Sequence, residues 1–302
     1  MNFNDIVGQD RAIQILKNVI IFDKVSQSYI FSGNDGIGKK LLAKIFAKAL
    51  NCPNFSKDFE NCECMSCRKI DKDIHPDITI FNTDKATIQL DDIKSMQDIF
   101  KYKNHEAKYR VLIVDGANKF TLEASNAFLK TLEEPPLGTI IILISNNLEK
   151  ILKTIKSRCQ IIEFKNLSPD EKFLVIEKNY DYSKELIEKA LFVSNESIND
   201  AIKFLAEKNN EEVLKKFDFF LEAFQSKKLD LALEQELESI SSAKQKDLFS
   251  KMLDYLINIH SKNSLKNQKA LILLKRAKKY FNQNVNPKLI WSWLFLGNML
   301  EK

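Results

Sequence analysis

Two uninterrupted apolar runs limit what this chain can fold into more than any other feature. Val111-Leu112-Ile113-Val114 ends in Asp115, and Thr139 to Ser145 reads TIIILIS. Neither run alternates apolar with polar residues. Each therefore suits a strand covered on both faces, and such strands belong mainly to parallel sheets flanked by helices. Tyr29-Ile30-Phe31, the run ITIF at 78–81 and residues 160–164 add three shorter strand candidates. Between the runs, apolar residues recur at helical spacing. One set is Ile13, Leu16, Val19 and Ile20, a second Leu41, Leu42, Ile45, Phe46 and Ala49, a third Ile93, Met96, Ile99 and Phe100. Residues 121–134 predict a further helix, stopped by Pro135 and Pro136, and 148–157 a short one. Strands alternating with helices predict an α/β first half, over residues 1–165.

The first strand candidate leads into Gly33 to Lys40, GNDGIGKK. Gly33, Gly36, Gly38 and Lys39 have the GxxxxGK spacing of a phosphate-binding loop, in which backbone N–H groups surround phosphates and the lysine reaches the terminal ones. A Ser or Thr should follow, because its hydroxyl holds Mg²⁺ against the phosphates. Lys40 stands there instead. An ammonium cannot coordinate a cation, so the loop can take a nucleotide but is poorly built to hydrolyse one. Asp115 ends the strand expected beside the loop, where in phosphate-loop enzymes an acid assists the Mg²⁺ site; a simpler role is to cap the strand or open a turn. Gly116 follows it.

Of five cysteines, Cys52, Cys62, Cys64 and Cys67 fall within sixteen residues. The opening MNFNDIVGQD lacks a charged-then-apolar leader plan, and no run of about 18 uncharged apolar residues is present. A cytoplasmic chain is expected, and there such a cluster reads as a metal site before it reads as disulfides. The spacing is Cys52-x₉-Cys62-x-Cys64-x₂-Cys67. Tetrahedral Zn²⁺ with Zn–S bonds near 2.3 Å needs sulfurs about 3.7 Å apart. The single residue between Cys62 and Cys64 leaves a three-cysteine site or no metal as alternatives, with His75 a conceivable substitute ligand that serves more simply as a loop histidine before Pro76. Net charge is +5, from 46 Lys+Arg against 41 Asp+Glu, with signs mixed along the chain. That balance neither requires nor excludes nucleic acid.

After Leu167 no strand-like run follows. Helical periodicity predicts three short helices over 174–179, 183–193 and 198–207. Longer ones are predicted over 213–224, 229–237, 245–259, 268–281 and 287–300. Three domains are expected, an α/β domain over 1–165, a small helical domain over 166–209 and a helical bundle over 210–302.

Taken in order, GNDGIGKK, VLIVDGA, NAFLKTLEEPP at 126–136 and KSRCQ at 156–160 resemble the bacterial clamp-loader branch of the AAA+ family. VGQ at 7–9, SYIFSG at 28–33, HPD at 75–77 and NVNPKLI at 284–290 extend the likeness over nearly the whole chain. The resemblance implies a RecA-like parallel sheet, a four-cysteine zinc insertion at about 51–68, a three-helix lid and a C-terminal helical collar that assembles the oligomer. It implies that Arg158, in SRC, is an arginine finger acting in trans on ATP held by a neighbour, with Cys159 a packing residue. Hydrolytic members carry Glu where this chain has Gly116, and a lid arginine where it has Asn199. Lys40, Gly116 and Asn199 together imply a subunit that does not hydrolyse ATP, within a DNA-directed DNA polymerase holoenzyme. The implied partners are clamp-loader gamma/tau and delta subunits, and through the complex the sliding clamp and primer-template DNA. Two alternatives are an active gamma/tau-type ATPase and a zinc-bearing DNA-binding protein, the latter disfavoured by the absence of a concentrated basic patch.

Overall fold

The computed structural model describes residues 1–55, 59, 62–101, 105–194, 197–207, 210–226, 246–262 and 268–299. They form two compact units, Met1–Glu171 and Lys172–Lys302.

The first unit is built on five parallel strands: β1 Ser28–Ser32, β2 Ile78–Phe81, β3 Arg110–Asp115, β4 Thr139–Ser145 and β5 Gln160–Glu163, in the order β2-β3-β4-β1-β5. β4 is buried along its whole length, as its unbroken apolar run requires. Asp115 ends beside the glycine loop, as expected, 3.7 Å from Lys40. The strand ending in Asp115 does not adjoin the loop strand, because β4 lies between β3 and β1, pairing Asp115 with Ile144 on one side and Ser32 with Ser145 on the other. Crossover helices cover the sheet: α1 Asp10–Ile21, α2 Lys39–Asn51, α3 Met65–Asp71, α4 Leu90–Asp98, α5 Leu122–Glu133 and α6 Lys153–Lys156.

Local chemistry sets the helix ends. Thr121 caps α5, its hydroxyl accepting from the Ala124 N–H at 3.1 Å. At α4, Asp92 accepts from the Gln89 backbone N–H at 2.9 Å, half of a reciprocal cap. The helix expected over 148–157 is divided into a 3-10 turn, Leu148–Lys150, and α6. The extended Ile151 between them turns its side chain inward, and Ile151 and Ile155 both join the core formed by Leu112, Leu143 and Phe128. Packing overrides helical continuity there. α3 answers no apolar period in the sequence; it begins at Cys64, whose Sγ accepts from the Cys67 N–H at 3.5 Å.

In the second unit the described elements are all helical. α7 Pro169–Asn179 begins in the first unit, and α8 Lys184–Val193, α9 Ile198–Ala206, α10 Asn210–Ser226, α11 Lys246–Lys262, α12 Gln268–Asn282 and α13 Pro287–Met299 follow. Phe220, Phe224 and Phe249 gather around the buried Trp291, with ring centroids 5.1, 6.4 and 6.5 Å from the indole. The helix expected over 229–237 lies outside the described residues, as do Gln245 and Leu300 at the ends of two others.

Candidate functional site

β1 delivers the glycine loop and α2 receives it. Gly38 precedes α2 with φ 91° and ψ 8°, a left-handed conformation in which a side chain is strained, so glycine fits the turn. Lys39 is only 6% exposed and folds back on the loop, its Nζ donating to the carbonyls of Gly33 and Asn34 and standing 3.9 Å from Asp35 Oδ1. Burial pushes its pKa down, and Asp35 and Asp115 partly reverse that. Lys40 extends the other way, donating to Asn82 Oδ1 at 2.8 Å and lying 3.7 Å from Asp115 Oδ2. Lys40, Asp35, Thr83, Asp84, Asp115 and Lys119 help to line a cavity of about 450 Å³. Within it the Lys40 ammonium neutralises Asp115, the task a divalent cation performs when a hydroxyl stands at this position.

Gly116 is more than a missing carboxylate. Its backbone is left-handed, φ 90° and ψ 38°, and an added Cβ would meet Lys119 Cδ at 3.3 Å. A side chain there would be strained as well as tight. Gly116 starts the 3-10 turn Ala117–Lys119, from which Lys119 Nζ donates to the Thr83 carbonyl at 3.0 Å.

Three amides complete the cavity, and none is evident as a site residue in the sequence. Asn82 follows β2, Asn146 follows β4, and Asn118 belongs to the turn after β3. Asn146 Nδ2 donates to Asp35 Oδ2 at 2.9 Å, and its backbone N–H to Asn118 Oδ1 at 3.3 Å. The usable signal is positional: short polar residues just past the carboxyl ends of parallel strands, where α/β sheets bind ligands.

Arg158 stands elsewhere. It precedes β5, which runs parallel to β1 with Gln160 opposite Tyr29. The arginine is therefore at the amino edge of the sheet, while the glycine loop is at the carboxyl edge. Tyr29 and Gly33 alone are separated by about 13 Å of strand. Arg158 Nη2 donates to Glu133 Oε1 at 2.7 Å, and Nη1 to the Thr154 carbonyl at 2.9 Å. Next to it, Cys159 packs against the core, and burial pushes its thiol up to about 12. Such a thiol is inert at neutral pH. Asn199 lies in the second unit, exposed in the first turn of α9.

Cys52, Cys62, Cys64 and Cys67 converge, with their four Sγ atoms within 4.8 Å of one another. Cys52 Sγ is 3.6 Å from that of Cys62 and 3.7 Å from that of Cys64, far outside a disulfide bond and close to the spacing of tetrahedral thiolates on Zn²⁺. Cys62 and Cys64, separated by one residue, both reach the group. The Phe55 N–H donates to Cys52 Sγ at 3.4 Å, as the Cys67 N–H does to Cys64, an arrangement suited to sulfur carrying negative charge. Burial pushes the Cys52 and Cys67 thiols up. Burial also opposes ionisation of Cys64, but the Cys67 N–H and the adjoining thiols outweigh it and bring Cys64 down to about 7. His75 is not part of this group; it is 3.1 Å from Ser66 Oγ and accepts from the Asp77 N–H at 3.1 Å.

A protein-family model described as "DNA polymerase III, delta subunit" matches residues 8–168. DNA polymerase III subunit tau of Bacillus subtilis is 39% identical over 167 residues, covering 55% of this chain and 29% of that protein. Subunit delta' of the same organism is 35% identical over 162 residues, covering 53% of this chain and 49% of its own length. The chain thus spans less than two thirds of either relative. Among solved structures, a DNA polymerase III gamma subunit-related protein from Thermotoga maritima superposes with a TM-score of 0.53 at 22% identity, over 95% of this chain and 98% of that one. This last likeness bears on the fold alone.

Proposed function

We propose, from the premise that the chain belongs to the DNA polymerase III delta-subunit family, that it is a delta-prime-type clamp-loader subunit. In this reading it does not hydrolyse ATP and completes a neighbouring subunit's ATP site with Arg158. The observation that carries the reading is the Lys40–Asp115 pair, which puts a side-chain ammonium in the place of the cation that hydrolysis needs. The left-handed backbone at Gly116, which a side chain would strain, adds to it, since no general base follows Asp115. Arg158, on the sheet edge opposite the loop, is out of reach of its own phosphate site and suited to another chain's.

The roles divide accordingly. Gly33, Gly36, Gly38, Lys39 and Asp115 keep a phosphate-loop scaffold. Cys52, Cys62, Cys64 and Cys67 would hold a structural Zn²⁺, which when bound closes the insertion by tying α2 to α3. Residues 166–209 act as a lid and 210–302 as a collar through which the subunit assembles. Partners are gamma/tau-type ATPases and a delta subunit, and the assembly places a sliding clamp on primed DNA. At the neighbour's site a guanidinium stabilises charge on the transferring phosphoryl group, an effect of roughly 10³ to 10⁵ in rate for arginine fingers. The test is reconstitution with Arg158→Ala: assembly should be normal while ATP hydrolysis and clamp loading fall, and unchanged hydrolysis would sink the proposal.

The identity with a tau subunit favours a second reading, an active gamma/tau-type ATPase. It requires Mg²⁺-dependent hydrolysis by the isolated chain; the delta-prime reading requires none.

A further inference from the structure

The guanidinium of Arg158 is fixed from two directions. Nη1 donates to the Thr154 carbonyl at 2.9 Å and to Ser157 Oγ at 3.3 Å, both from its own turn. Nη2 donates to Glu133 Oε1 at 2.7 Å, a short charge-assisted bond from another element. Glu133 is the last residue of α5, followed by Glu134 and two prolines that end the helix. A carboxylate at a helix C-terminus faces the negative end of the dipole, an unfavourable place unless a cation answers it. Arg158 is that cation. The side chains are 36% and 50% exposed, so the pair is screened by water and adds little to fold stability. Its larger effect is conformational: it selects one orientation of a long side chain that would otherwise sample many. The backbone beneath is already anchored, since the Arg158 N–H donates to the Ile155 carbonyl at 3.1 Å and Cys159 packs against the core.

We infer that Glu133 is a positioning residue for Arg158, holding the guanidinium at the amino edge of the sheet, oriented for an anion presented by another protein chain. The inference rests on the reading of Arg158 as a donor in trans, and the anion in question is the phosphate of that chain's bound nucleotide. Prior orientation removes part of the cost of ordering the guanidinium against the charge that develops during phosphoryl transfer.

The test uses the assembled complex carrying Glu133→Ala, Glu133→Gln, Arg158→Ala or Glu133→Ala with Arg158→Ala. Glu133→Ala should lower kcat for ATP hydrolysis about two- to fivefold, the range an exposed ion pair supports, with KM for ATP and assembly unchanged. Glu133→Gln should retain more activity, because its amide oxygen still accepts from the guanidinium. In the Arg158→Ala background, Glu133→Ala should change nothing further. Unchanged or raised kcat in Glu133→Ala, or an equal loss in both backgrounds, overturns the inference. If Arg158→Ala lowers hydrolysis and Glu133→Ala does not, only the positioning role falls. If Arg158→Ala itself has no effect, the trans-donor reading and this inference fall together.

Discussion

Replacing Lys40 with Thr should turn a loop indifferent to magnesium into one that responds to it. In the parent, the Lys40 ammonium lies 3.7 Å from Asp115 and donates to Asn82 at 2.8 Å. Unit charges at that separation attract by about 1 kcal/mol in water and about 4.5 kcal/mol at an effective dielectric of 20. The two side chains are 42% and 39% exposed, so the net value falls toward the few tenths to about 1 kcal/mol measured for exposed pairs. The Asn82 hydrogen bond adds about 0.5–1 kcal/mol. Lys40→Thr in EDTA should therefore lose roughly 1–2 kcal/mol, or roughly 2–8 °C of melting temperature for a unit of this size. Saturating MgCl₂ with ADP should restore part of that loss in the variant, because the new hydroxyl and Asp115 together offer a cation oxygen ligands. The parent should show no magnesium dependence. Scanning calorimetry with and without magnesium reads both effects. A variant as stable as its parent in EDTA, a variant blind to magnesium, or a parent stabilised by it would refute the reasoning.

Zinc analysis of the purified protein should find a single ion per chain, and Cys62→Ser should weaken its retention and lower stability under mild chelation; a parent without zinc contradicts the assignment. Burial raises the Asp77 pKa, but the N–H groups of Glu106, His105 and Ala107 and the Arg110 guanidinium outweigh it and hold the carboxyl down from 3.8 to about 2. A depressed acid stabilises above its unfolded pKa, so about 2 kcal/mol present at pH 5 should disappear as pH falls toward 2. Urea midpoints across that range should show the loss in the parent and a flatter dependence in Asp77→Asn; parallel curves would remove Asp77 from the account. Cys159, with its thiol raised to about 12 by burial, should resist iodoacetamide at neutral pH in the folded chain, and rapid labelling seen by peptide mass spectrometry would show that it is not a core residue.

The sheet was legible because its strands are buried on both faces, which leaves an unbroken apolar run that no surface element mimics. β4 shows this most clearly: seven residues, all buried, in one run. Strand order was less legible, since local pattern carries no information about which strand inserts between two others, and β4 separates β1 from β3. The helix over 148–157 was misjudged for a related reason: its apolar spacing is helical, but seating both Ile151 and Ile155 in the core needs an extended residue between two short turns. The cysteines announced their cluster by spacing alone, whereas α3, which delivers Cys67, has no apolar period of its own. Asn82, Asn118 and Asn146 were invisible as site residues because amides after strands are ordinary turn formers. Only the parallel sheet brings them to one cavity.

Lys40 and Gly116 depart from a hydrolytic site in ways that each satisfy local physics. Lys40 forms an exposed ion pair with Asp115 and a hydrogen bond to Asn82, and Gly116 supplies the left-handed turn from which Lys119 reaches the Thr83 carbonyl. Neither leaves a defect for the fold to repair, so the loop, α2 and the strand ends persist as a well-formed scaffold. Reversal is correspondingly asymmetric. A hydroxyl at position 40 needs no backbone change, while a glutamate at 116 must overcome a positive φ and a tight contact with Lys119. Cation binding is thus the easier property to regain and a general base the harder. Among the described residues, the supports of Arg158 come from α5, α6 and the core at the opposite edge of the sheet from the loop. Substitutions at this chain's own phosphate loop therefore leave the arginine's placement intact, which is the physical condition that the proposed delta-prime role requires.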